Sequence, residues 1–150
     1  MRFKTLILFL LLRFSLSSQV STIKIDDVGD GWKNQVEQAI LLIKNTDDLR
    51  YGLLLKNCNH ISFGVNGNST TYDSTIVIDK SVFELNSINN LACTIVHESK
   101  HLEIKSWDIK LTKRKEDYYA YLTEYGFFSK LKNGEDWLKE YLVEMMIENQ

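Results

Sequence analysis

"LACTIVHESKHLEIK", residues 91–105, decides how this chain is read. His97 and His101 stand four apart, with Glu98 directly after the first. On an α-helix that spacing puts both imidazoles on one face, with Cβ atoms about 5–6 Å apart. Zinc takes histidine nitrogen at about 2.0–2.1 Å, and catalytic zinc sites use three protein ligands and a water. Glu98 would project beside such an ion rather than onto it, where it can take a proton from the activated water. With 3 histidines and ten glutamates in 150 residues, an HExxH pattern arises by chance on the order of a few times per thousand chains. The preceding run, Leu91–Val96, is apolar enough to seat the helix in a core, and Ser87, Asn89 or Asn90 can cap its start. The helix is expected to run to about Lys105.

Around this segment the patterning suggests an α+β domain. Residues 20–31 alternate apolar and polar and turn at Gly29–Gly31. Residues 32–49 have apolar side chains at 32, 36, 39, 40 and 43, the spacing of one amphipathic helix. Residues 51–67 are short apolar runs broken by Gly and Asn, and strands are expected near 60–65 and 74–79, joined by the loop "NGNSTTYD" (66–73). Beyond the histidine helix, 115–132 and 135–149 each fit a further helix, the first ended by Asn133–Gly134. The expected order is an N-terminal helix, a small sheet, the HExxH helix and two more helices.

Residues 1–18, "MRFKTLILFLLLRFSLSS", look like an export signal, with Arg2 and Lys4 ahead of an apolar stretch and small residues at Ser15, Ser17 and Ser18. Arg13 weakens that pattern, and the apolar run is short for a permanent span. The expected division is a signal peptide, 1–18, and one domain, 19–150, secreted or periplasmic and without stable membrane association once the signal is cleaved. Loss of Arg2, Lys4 and Arg13 takes the formal charge from −2 to −5. An acidic chain whose other cationic cluster, "KLTKRKED" (110–117), is mixed with acids offers no stripe for nucleic acid. Cys58 and Cys93 could pair in an exported protein or stay as buried thiols; neither lies in a CxxC pattern.

The third ligand must come from elsewhere. Ile104 and Trp107 occupy the places where elongated HExxHxxGxxH sites need glycine and histidine. Carboxylates on the next helix are the alternative: Glu116, Asp117 and Glu124. Here the chain resembles the gluzincin-like zincin metallopeptidases, above all small proteins in which HExxH is followed by a helix carrying E-x-x-A-Y. The resemblance covers about residues 90–130, with "DYYAYLTE" (117–124) as the second motif. It implies a zincin-like minimal catalytic domain with Asp117 as third ligand and Glu116 as the alternative. Ala120 lets the two helices approach, and Glu124 orients a histidine from behind. It also implies that an edge strand of the sheet, here 74–81, aligns the substrate backbone. Asp117 stands where the family has Glu, so its shorter arm must come closer. Tyr118, Tyr119, Tyr121 and His60 are the candidates to stabilise an oxyanion. Peptide deformylases also carry HExxH, but "KNCNHIS" around Cys58 does not match their cysteine segment.

The expected function is therefore that of a zinc metallopeptidase acting on a peptide or protein substrate. His97, His101 and Asp117 or Glu116 hold Zn2+, and Glu98 is the general base. Two alternatives stand beside it: a non-catalytic binding module stapled by the ion, and a metal-dependent hydrolase of a non-peptide amide. A structural zinc site would be closed by four protein ligands.

Overall fold

A computed structural model describes residues 22–29 and 31–150. The expected export signal, 1–18, lies outside the described residues. The chain folds as α+β. It begins with a short strand β1 (Lys24–Ile25), then helices α1 (Trp32–Thr46) and α2 (Asp48–Asn57). Strands β2 (His60–Gly64), β3 (Thr70–Tyr72) and β4 (Thr75–Asp79) and a short helix α3 (Lys80–Glu84) follow. Helices α4 (Ile88–Lys105), α5 (Lys113–Phe128) and α6 (Asp136–Glu148) complete it. Among the described residues no helix is long and apolar enough to cross a membrane.

Helix α1 buries Trp32, Val36, Ala39 and Ile43, the stripe that its spacing foretells. The single helix expected over 32–49 is broken at Asp47, whose extended backbone (φ −148°, ψ 91°) ends α1. The Asp47 carboxylate then caps α2 by accepting the Arg50 N–H at 3.1 Å. Its other oxygen accepts from Lys130 Nζ at 2.6 Å, which ties this junction to the end of α5. Helix α2 escapes a reading by periodicity because Leu54 is its one buried residue.

The sheet has strand order β1-β2-β4-β3, with β1, β2 and β4 parallel and β3 antiparallel to β4. Ile61 pairs with Ile76 across the β2–β4 ladder, and both are fully buried. Segment 74–81 was expected at the edge; instead β4 is an interior strand, paired on both sides. Its run Ile76–Ile78 is the continuous apolar pattern that interior strands show. The edge next to it is β3, drawn from the polar segment expected to be a loop, where Thr70 and Tyr72 are exposed. Gly64 is needed at the end of β2, since a Cβ there would come within 2.7 Å of Val77 Cγ1.

Helix α4 is the centre of the molecule. It starts where the Ser87 hydroxyl accepts the Asn90 N–H at 3.1 Å, and thirteen of its eighteen residues are buried. Leu91, Ala92, Cys93, Ile95 and Val96 belong to the hydrophobic core, and α4 packs against α1, α2 and the sheet as well as against α5. Each fully buried Ile or Leu contributes about 1.5–3 kcal/mol. Ala120 has no exposed surface, as a close α4–α5 approach requires. Helix α5 starts at Thr112, whose hydroxyl caps Lys115 N, and ends at Phe128, short of the expected Asn133–Gly134. Helix α6 buries Leu138 and Leu142. Glu135, just ahead of it, accepts from Ser87 Oγ at 2.5 Å and Asn89 Nδ2 at 2.9 Å.

Both cysteines are free thiols. Cys58 closes α2 with its Sγ 3.2 Å from the His60 carbonyl, and Cys93 lies inside the α4 core face.

Candidate metal centre

The chemistry-bearing residues come from two helices. On α4, His97, Glu98 and His101 are all buried, at 9%, 6% and 8% exposure. Their Nε2–Nε2 distance is 3.2 Å, so the i,i+4 spacing does bring both rings to one place. Helix α5 supplies carboxylates on both flanks. Glu124 Oε2 lies 2.9 Å from His97 Nδ1, and Asp117 Oδ1 lies 3.5 Å from His101 Nε2. An ionised carboxylate only accepts, so Nδ1 of His97 carries the proton shared with Glu124, and its Nε2 points toward His101.

Donors held about 2.0–2.1 Å from a tetrahedral zinc stand roughly 3.3–3.4 Å apart. The 3.2 Å and 3.5 Å separations are close to that edge length. The His97–His101 and His101–Asp117 edges thus match the donor spacing around such an ion. The fit is not complete. Among the described residues no group of three or more His, Cys, Asp or Glu side chains is close enough as placed to hold a metal ion. Asp117 is the outlying member, and its Oδ1 is engaged by Lys113 Nζ at 2.7 Å. Glu116, the alternative third ligand, forms neither an ion pair nor a side-chain hydrogen bond with the histidines, so Asp117 is the carboxylate beside them.

The local electrostatics differ from residue to residue. Burial would lower the pKa of His97, but the hydrogen bond and charge of Glu124 outweigh it and hold the ring above the ordinary histidine value. At His101 the more distant Asp117 does not offset burial, which with the neighbouring His97 lowers it to about 4. Burial pushes Glu98 up to about 7. Its carboxylate has charged neighbours but no hydrogen-bond partner among the described residues. The residue is buried, yet its oxygens are not sealed from water without a partner; among the described residues Trp32 Nε1 alone is.

The four oxyanion candidates separate. The Tyr121 ring packs edge-on against His97 with centroids 4.4 Å apart, and burial together with a hydrogen bond to Tyr141 raises its pKa. Tyr118 and Tyr119 pack on each other, and Tyr119 also meets Trp107. His60 pairs with Asp26 Oδ1 at 2.8 Å where β1 meets β2. Lys113 was not singled out by sequence; its one signal is the i,i+4 spacing to Asp117.

No family model matches the chain, and neither a curated protein nor a solved structure does.

Proposed function

We propose that the chain is a zinc-dependent hydrolase of the zincin type, a metallopeptidase that cuts peptide bonds. The observation that carries this reading is the pair of converging histidine Nε2 atoms beside the buried, unpartnered Glu98. His97, His101 and Asp117 would hold the ion, and Glu124 fixes the tautomer and orientation of His97 from behind. When bound, zinc supplies an activated water and polarises the scissile carbonyl. Glu98 takes the proton of that attacking water and returns it to the leaving amine. A carboxylate shifted to about 7 by burial has a proton affinity suited to both transfers near neutral pH. An extended peptide would add to the free edge at β3 rather than to β4. Lys105, which donates to the Thr71 carbonyl at 3.0 Å, would then give way. The leader-like segment 1–18 supports export as the setting.

The test is metal analysis and peptide hydrolysis of the purified protein, its Glu98→Gln variant and its His97→Ala variant. The expected outcome is about one zinc per chain in wild type and Glu98→Gln, little in His97→Ala, and hydrolysis in wild type alone. Zinc retained with no hydrolysis in the wild type would favour the stapled binding module. No zinc in any folded protein would end the reading.

A further inference from the structure

We propose that Lys113 is a placeholder cation. Its ammonium holds the Asp117 oxygen nearest the histidines and competes with the metal for that carboxylate, which lowers the metal affinity of the site. The inference rests on the zinc reading above.

One oxygen is shared. Asp117 Oδ1 is 2.7 Å from Lys113 Nζ and 3.5 Å from His101 Nε2, so the atom nearest the histidines is the atom the lysine grips. An ion binding Asp117 must therefore share the carboxylate with the ammonium or displace it. The two partners differ in freedom. The Lys113 side chain is 76% exposed and ends a flexible stem, whereas that of Asp117 is 23% exposed and borne mid-helix beside buried His101. The lysine is the group that can leave.

Helix stability does not account for Lys113. It is the first residue of α5, where the helix dipole disfavours a cation. Lysine placed N-terminal to its acid is also the weaker order for an i,i+4 pair. What the ammonium does instead is neutralise a crowded acidic corner. Asp117, Glu98 and Glu124 all lie near the histidines, and Lys113 is close enough to act on both Glu98 and His101. In the metal-free chain it stands in for the missing positive charge. Once an ion is bound, the two cations compete for one carboxylate.

Zinc affinity measured by chelator competition on the full chain tests this. Lys113→Met, which keeps the stem and removes the charge, is expected to bind zinc roughly tenfold more tightly than wild type. Lys113→Arg keeps a cation and should stay near wild type. Lys115→Met is the control for charge alone: Lys115 has no contact with Asp117, and its loss should change affinity by less than about twofold. Lys113→Gln serves if the methionine variant does not fold. Unchanged or weaker binding in Lys113→Met, with wild type binding normally, overturns the placeholder role and leaves the zinc reading intact. An equal gain in Lys115→Met does the same. If neither wild type nor Lys113→Met binds zinc, both inferences fall together.

Discussion

Glu124 and His97 face each other across the α4–α5 contact at 2.9 Å, with both side chains nearly sealed from water. Breaking one half leaves the other buried without a partner. Glu124→Ala is expected to cost about 2–4 kcal/mol of stability in urea unfolding. It should also weaken zinc binding by about 10- to 100-fold, the usual effect of losing an orienting carboxylate. Glu124→Gln, whose amide oxygen can still accept from Nδ1, should lose less than half as much stability. Equal losses in the two variants would show that geometry at this position does not matter.

Glu98 is buried at the core edge, and that burial disfavours its charged form. Replacing it with the neutral isostere removes that cost. Glu98→Gln, compared with wild type at pH 8 in a metal chelator, is therefore expected to be more stable by about 1 kcal/mol. A destabilised Glu98→Gln would mean that the carboxylate is held by interactions the fold does not display.

Ala120 lies on α5 between Asp117 and Glu124, which meet the histidines of α4, and has no exposed surface. Ala120→Leu should cost about 1–3 kcal/mol through overpacking. Because the added bulk pushes the helices apart, it should also weaken zinc binding more than a core change of equal cost at Val36, which lies on α1. Thermal unfolding paired with chelator competition separates the two effects.

Asp47 gives the fold an acid-sensitive joint. Its burial favours the neutral form, but the Lys130 hydrogen bond, the Arg50 amide and both positive charges prevail and hold its pKa below the ordinary carboxylate value. The unfolded chain therefore takes up this proton at higher pH than the folded one. The stabilisation is present above about pH 4 and is lost as the pH falls through the lowered value. Asp47→Asn should be less stable than wild type at pH 6, and the gap should close toward pH 2. Parallel pH–stability curves for the two proteins would contradict this assignment.

The segments legible in the sequence are those whose own period or caps decide them. Ser87 and the run Leu91–Val96 announce α4, Ile76–Ile78 announces a strand, and 135–149 announces α6 within a residue at each end. What stays hidden depends on partners far away in the chain. At Asp47 the break is reinforced by Lys130, 83 positions on. Strand β3 is polar and exposed, so only its pairing with β4 makes it a strand, and that pairing moves 74–81 from the edge to the interior. In the site, the spacing of His97 and His101 fixes their shared face. The choice of Asp117 over Glu116 beside them turns on the rotation of α5 against α4, which no local pattern encodes.

The clasp of Glu135 on Ser87 and Asn89 has a consequence for the order of assembly. The residue that fastens the first turn of the histidine-bearing helix is synthesised some fifty positions after it. Until that late stretch arrives, the helix can form but its beginning stays loosely anchored. A chain that matures in this order fastens the start of its histidine-bearing helix only after residue 135 has been made.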